Sequence, residues 1–286
     1  MNSTRNIGAR NIPAKNIIVT GAASGIGQQL VTLLAQRGDR VLATDVDSQR
    51  LAASAAEPSW PAELVVTFPH DVASASSWSA AIAQALERFG SLDVLINVAG
   101  VLRVERVEEL EPESVVLQLD VNTKGVIFGT HAAAKVMVGQ GRGHIINIAS
   151  MAALAPVPGI SVYSASKFAV RGFSLAAAQE LESRGVRVTV VCPDAVDTPM
   201  VDYQLDRAEA ALTFSGPRVL STDEVARAVI GLLDGKPRLE LIIPWSRGLL
   251  ARVSTLLPRW LHRRISARLT QKGLARQQNI RQQRKS

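Results

Sequence analysis

A chain of 286 residues, 47% of them hydrophobic, holds enough apolar material for one large domain with a substantial core. Its one cysteine, Cys192, excludes an intrachain disulfide, and the neighbouring Val190 and Val191 mark it as a buried, inert thiol. The formal charge of +7 belongs to the end of the chain: residues 241–286 hold eleven Lys or Arg and no acid, leaving 21 basic against 25 acidic groups in residues 1–240.

The opening residues are polar, with Arg5, Arg10 and Lys15, and no apolar run of signal-peptide length follows them. No stretch approaches the roughly twenty apolar residues that span a bilayer, so a cytoplasmic protein is expected. Seven runs then read as strands: Asn16 to Thr20, Arg40 to Thr44, Glu63 to Phe68, Val94 to Asn97, His144 to Ile148, Val186 to Cys192 and Leu239 to Ile243. Several are apolar almost throughout, as parallel strands covered on both faces must be, and helical patterns separate them. The alternation predicts an α/β fold, a doubly wound, Rossmann-like parallel sheet of seven strands with helices on both faces. Ligands on such a sheet sit at the carboxyl ends of the strands, where the strand order reverses.

The first strand runs into Thr20-Gly21-Ala22-Ala23-Ser24-Gly25-Ile26-Gly27, and a helical pattern with Leu30, Leu33 and Leu34 follows at once. Glycines let the backbone approach a pyrophosphate, and the helix start presents free N–H groups, so Gly21, Ser24, Gly25, Ile26 and Gly27 predict a nucleotide site. The second strand leads into Asp45, where a carboxylate would bind a ribose 2′-hydroxyl and repel a 2′-phosphate; NAD is therefore favoured over NADP. Asp45 could instead cap the next helix, a task open to Asp47, and Arg50 is expected in that helix, pointing away.

Tyr163 and Lys167 stand four apart, on one face of a helix. An ammonium beside a phenol lowers its pKa and fits it for proton transfer; the alternative is an aromatic ring covered by a lysine stem. Residues Val201 to Leu220 include Tyr203, Leu205, Leu212 and Phe214 among charged neighbours. Beyond the last strand, Trp245, Leu249, Leu250, Val253, Leu256, Leu257, Trp260 and Leu261 recur at helical spacing, with Arg247, Arg252 and Arg259 on other sides. Pro258 should split this basic, amphipathic extension into two short helices. It could lie on an anionic membrane surface, or pack on the protein or on a second subunit. No nucleic-acid motif accompanies the charge, so nucleic acid is disfavoured as a partner. The four histidines, His70, His131, His144 and His262, show no ligand-like spacing, and no metal is expected.

Together these residues resemble the short-chain dehydrogenase/reductase family over roughly residues 14–245. The turn Thr20 to Gly27 matches the family's Thr-Gly-x-x-x-Gly-x-Gly, and Asp71-Val72 matches its adenine-contacting pair. Asn97-Val98-Ala99-Gly100 is similar to its Asn-Asn-Ala-Gly, and Pro193, Val196 and Thr198 match its Pro-Gly-x-Val-x-Thr, with Asp194 in place of glycine. The resemblance implies a tetrad of Asn122, Ser150, Tyr163 and Lys167. In it Tyr163 moves the proton, Lys167 supports it and holds the cofactor ribose, Ser150 grips the substrate oxygen, and Asn122 kinks a helix and carries a water relay. It further implies a covering segment over Val201 to Leu220 and a homodimer or homotetramer formed through the helices of Asn122 and Tyr163. The expected organisation is a polar lead (1–13), one catalytic domain (14–245) and the basic extension (246–286). The expected activity is hydride transfer between NAD(H) and a hydrophobic, lipid-like secondary alcohol or ketone; the alternatives are a nucleotide-binding regulatory or scaffold protein acting through its basic tail, or an NADP-dependent reductase of the same family.

Overall fold

The computed structural model describes residues 13–254 and 258–284. The expected polar lead falls outside them save for Pro13, as do Leu256, Leu257 and the side chain of Trp260.

The chain alternates from β1 (Asn16–Thr20) through α1 (Gly25–Gln36), β2 (Arg40–Asp45), α2 (Ser48–Ala55), β3 (Val65–Pro69) and α3 (Ala75–Phe89) to β4 (Val94–Asn97). Next come α4 (Pro112–Leu119), a π-helical turn (Asp120–Lys124), α5 (Gly125–Gln140), β5 (Gly143–Ile148), α6 (Ser161–Glu182) and β6 (Val186–Pro193). After these follow α7 (Pro199–Leu205), a 3₁₀ stretch (Ala208–Ser215), α8 (Thr222–Asp234), β7 (Glu240–Ile243), α9 (Trp245–Ser254) and α10 (Arg259–Gln283). All seven expected strands form, and they build one parallel sheet in the order β3-β2-β1-β4-β5-β6-β7. The order reverses between β1 and β4, which opens a crevice beyond Thr20 and Asn97.

The strands are apolar because helices cover both faces. On one face Leu30 and Leu34 of α1, four apart and fully buried, join Val225 and Val229 of α8 in one cluster. Truncating Leu30 to Ala there would cost about 2–5 kcal/mol. On the other face Trp78 of α3, Met137 of α5 and Ala177 of α6 form the second cluster. Helix α8 starts on a capping box, in which Ser221 and Glu224 satisfy each other's backbone N–H groups.

Pro258 breaks the extension where expected, but the second helix is not short: α10 runs for 25 residues. It crosses the 3₁₀ stretch so closely that a Cβ on Gly273 would lie 1.9 Å from the Ala211 carbonyl oxygen. The extension is thus an arm folded back over residues 199–215, which themselves cover the carboxyl edge of the sheet. Among the described residues no helix is long and apolar enough to cross a membrane.

Candidate active site

A cavity of about 1510 Å³ runs along the carboxyl ends of the strands, from Asp45 and Val46 at one end to Leu269 of α10 at the other. Its first part is built by the glycine turn. Gly21 and Gly25 adopt positive φ, and side chains there would strike Ala99 at 2.8 Å and Thr198 at 2.9 Å. Helix α1 begins at the cavity with no side-chain cap on Ser24 and no acid in its first turn, so its N–H groups are available to an anion. Asp45 lines the same region and also braces it: its carboxylate accepts hydrogen bonds from the N–H groups of Ala23 and Asp47, each at 3.0 Å. Asp47 caps α2 by accepting from Arg50 N–H. Arg50 does not point away as expected; it lines the cavity mouth while its Nε lies 3.3 Å from Asp47.

Most of the expected cofactor residues reach this cavity: Gly21, Ser24, Gly25, Ile26, Asp45, Asp71, Val72, Ala99, Gly100, Pro193, Val196 and Thr198 all line it. Two do not. Gly27 lies beneath the turn, where a Cβ would meet the Gly21 carbonyl oxygen at 2.0 Å, so its contribution is close packing. Asn97 is buried on the sheet side and donates to Asn147 Oδ1 at 2.8 Å, because strand alternation turns it inward. The fixing of the β4 end falls instead to Thr20, whose hydroxyl oxygen accepts the N–H groups of Val98 and Ala99 at 3.0 and 3.1 Å.

Midway along the cavity, Ser150, Tyr163 and Lys167 come together. Ser150 follows β5 and its Oγ accepts from Ala152 N–H at 3.1 Å. Tyr163 and Lys167 share one face of α6, both buried, with the ammonium 5.6 Å from the ring centre. Lys167 Nζ donates to the Ile148 carbonyl at 3.0 Å. Burial pushes the Tyr163 hydroxyl up to about 12, against a hydrogen bond from Ser150 that pulls it down, and lowers Lys167 to about 8. Lys167 was expected to hold the phenol below its ordinary value; in the polypeptide by itself burial sets the direction, and it is upward.

Asn122 stays behind the cavity, buried in the π-helical turn between α4 and α5. A Cβ on Gly100 would come within 3.3 Å of its Oδ1 and 3.5 Å of Lys167 Nζ, so the two tetrad residues flank that glycine. Its amide nitrogen also donates to Ser166 Oγ, which donates in turn to the Tyr163 carbonyl at 2.7 Å.

A family model for the short chain dehydrogenases matches residues 15–209. The chain belongs to the short-chain dehydrogenase family. Relatives in this family include a 2-(R)-hydroxypropyl-CoM dehydrogenase of Xanthobacter autotrophicus, 38% identical over 67% of this chain and 78% of that protein. A 3-alpha-(or 20-beta)-hydroxysteroid dehydrogenase of Mycobacterium tuberculosis is 38% identical over 66% and 72% of the two chains. Among solved structures, a short-chain dehydrogenase/reductase of Burkholderia phymatum in complex with NAD superposes with a TM-score of 0.76 at 26% identity, over 85% of this chain and 93% of that one. A family oxidoreductase therefore carries the cavity described above.

One altered short-chain dehydrogenase motif carries an acid whose partner lies far along the chain. Asp194, in the place of the usual glycine, needs no left-handed backbone, since among the described residues only glycines have positive φ. Its buried carboxylate lies 2.8 Å from Nε of Arg247, which comes from α9 and also lines the cavity. Burial raises the Asp194 pKa, and Arg247 opposes that rise. An acid replacing glycine in a chain with an unbalanced basic tail was the available signal.

Proposed function

We propose that this dehydrogenase transfers hydride between NAD(H) and a secondary alcohol or ketone with an apolar substituent. The observation that carries this reading is the convergence of Ser150, Tyr163 and Lys167 on one cavity whose adjoining part is built for a dinucleotide. The turn Gly21 to Ile26 and the start of α1 would hold the pyrophosphate, Asp45 the adenosine ribose, Asp71 and Val72 the adenine side, and Val196 and Thr198 the nicotinamide amide. Bound there, NAD supplies the hydride acceptor and a positive charge. In oxidation the substrate hydroxyl yields its proton to the Tyr163 oxygen, and Ser150 donates a hydrogen bond to the oxygen left behind. A phenol pushed up to about 12 becomes a usable base only when cationic charge enters beside it. Lys167 is positioned to hold ribose hydroxyls and to pass the proton on past Gly100 and Asn122. In reduction the same groups work in reverse.

The division into a catalytic domain over 14–245 and an arm over 246–286 belongs to this reading. So does a homodimer or homotetramer, supported by apolar side chains left exposed on α4 (Val116, Leu117, Leu119) and α6 (Phe168). A cytoplasmic location with peripheral contact at an anionic membrane is supported by α9, which exposes Trp245 and Leu249 away from the cavity. The test is turnover: purified protein with NAD and a panel of secondary alcohols should produce NADH, and Tyr163→Phe should abolish it. No turnover on any alcohol, with NAD still bound, would favour the nucleotide-binding scaffold.

A further inference from the structure

The arm is fastened to the cover of the active site at both ends. At its start, Arg247 pairs with buried Asp194 at the end of β6, and its Nη2 donates to Ser215 Oγ at 3.2 Å, where the 3₁₀ stretch ends. Gly216 beside them has no room for a side chain: a Cβ would stand 2.8 Å from Asp194 Oδ2 and 2.9 Å from Arg247 Nη1. Near its finish, Gln277 is buried and its amide donates to the carbonyls of Gln204 and Arg207, both at 3.0 Å. Those carbonyls lie at the end and exit of α7, where each also accepts one backbone N–H, from Arg207 and Ala210 in turn, so Gln277 adds a second donor to both. Ile280 packs with Val201, Leu205 and Phe214 of the cover. Arg281 pairs with Asp206 at 2.9 Å, and Arg284 with Asp197 and Asp202. The exposed ion pairs add little, but the buried amide and the apolar contact fix the register.

Between these fastenings the arm turns apolar side chains into the cavity that also holds Tyr163: Leu250 and Val253 from α9, Ile265 and Leu269 from α10. We propose that these four residues form the subsite for the substrate's apolar substituent, so that the arm, which lies beyond the segment shared with the family model, selects extended, uncharged alcohols and ketones. Among the described residues, the one arginine that the arm brings to this wall is matched by Asp194 at 2.8 Å, so an anionic substrate would have to compete with a resident carboxylate. Arg247 is therefore a positioning residue for the wall. The inference rests on the hydride-transfer reading above.

The test uses the full-length protein with NAD and a series of 2-alkanols from 2-butanol to 2-undecanol. Each methylene placed on the wall should raise kcat/KM about fourfold until the wall is filled. Leu269→Trp should lower the ratio of kcat/KM for 2-undecanol over 2-butanol by about tenfold. Leu250→Trp, at a side chain 59% exposed and so tolerant of bulk, should lower it in the same direction. A flat series, or variants that slow both alcohols equally, would overturn the subsite while leaving hydride transfer intact. Titration calorimetry with 2-undecanone needs no turnover. On the Tyr163→Phe protein its binding should weaken about tenfold with Leu269→Trp, and absent or unchanged binding would overturn the subsite. Tighter binding of a chain of equal length ending in a carboxylate would overturn the uncharged class.

Discussion

Asn122 spends both ends of its amide on the backbone of one residue, Val101: Oδ1 accepts the Val101 N–H and Nδ2 donates to the Val101 carbonyl, each at 2.8 Å. This double bond ties the π-helical turn to the loop after β4, and so holds Gly100 between Asn122 and Lys167. Asn122→Ala should therefore cost about 2–5 kcal/mol, as two backbone groups lose their partner, and lower kcat/KM more than tenfold. Urea unfolding and initial rates measure the two losses. A variant of ordinary stability and rate would mean that the loop holds itself.

Tyr163→Phe removes the hydroxyl while keeping the ring, and the rate should fall by about 10³-fold or more with NAD binding retained. Ser150→Ala should cost about 10²-fold, mainly in kcat, since its donor strengthens as charge grows on the substrate oxygen. The base must be deprotonated for oxidation, and burial holds it high, so kcat/KM for oxidation should climb as pH rises from 6 to 9. An oxidation rate that falls over that range would remove Tyr163 as the base.

At the other end of the cleft the test concerns charge. Asp45→Asn keeps the shape of the side chain and removes its repulsion of a 2′-phosphate, while Arg50 remains at the cavity mouth. The preference in kcat/KM for NAD over NADP should shrink at least tenfold. Ala23 and Asp47 donate to different oxygens of Asp45, and Asn keeps only one of them, so one N–H loses its acceptor and stability should fall by about 1 kcal/mol. Wild-type protein that prefers NADP would mean that Arg50, not Asp45, sets the choice.

These tests follow the division between what the sequence declared and what it hid. The strands were legible because a parallel strand covered on both faces must be apolar throughout, and Tyr163 and Lys167 because helical periodicity puts four-apart residues together. Asn97 was expected among the cavity residues, but a motif at a strand end does not say which face its side chain takes, and alternation turns it to Asn147. The length of α10 was hidden because its buried face, which includes Gly273 and Gln277, is neither apolar nor continuous. The Asp194–Arg247 pair joins positions remote in sequence, and no local pattern announces such a contact.

Helix α9 sets the prediction for membranes. Trp245 is 74% exposed, Leu249 follows it four residues on, and the first turns of α10 expose Arg263 and Arg268. Vesicles rich in anionic lipid should bind the protein more tightly than neutral ones, by about 1 kcal/mol for each basic side chain engaged. The pair Trp245→Ser and Leu249→Ser should reduce co-sedimentation several-fold. Equal sedimentation of variant and wild type, or none by either, would confine the arm to its work over the cavity.

Two buried histidines fix how the fold responds to acid. His70 bonds Ser77 Oγ through Nδ1 at 2.7 Å and meets Trp78 edge-on, while His144 bonds Thr189 Oγ1 through Nε2 at 2.9 Å. The other ring nitrogen of each is buried and has no partner among the described residues. Burial therefore lowers His70 to about 4, against Asp71, and His144 to about 3, with Arg187 and Lys15 adding to the effect. Both rings stay neutral in the fold, but take up protons near 6.5 once unfolded. Between about pH 4 and 6.5 the unfolded chain thus binds more protons, so stability is full above 6.5 and declines as the pH falls. The slope is about 1.4 kcal/mol per pH unit for each fully titrating group. Urea midpoints should drop between pH 7 and pH 5, where carboxylates contribute least. The double variant His70→Asn, His144→Gln keeps both hydrogen bonds and cannot titrate, so its midpoint should fall less steeply. Equal slopes for the two proteins would show that these rings are protonated within the fold.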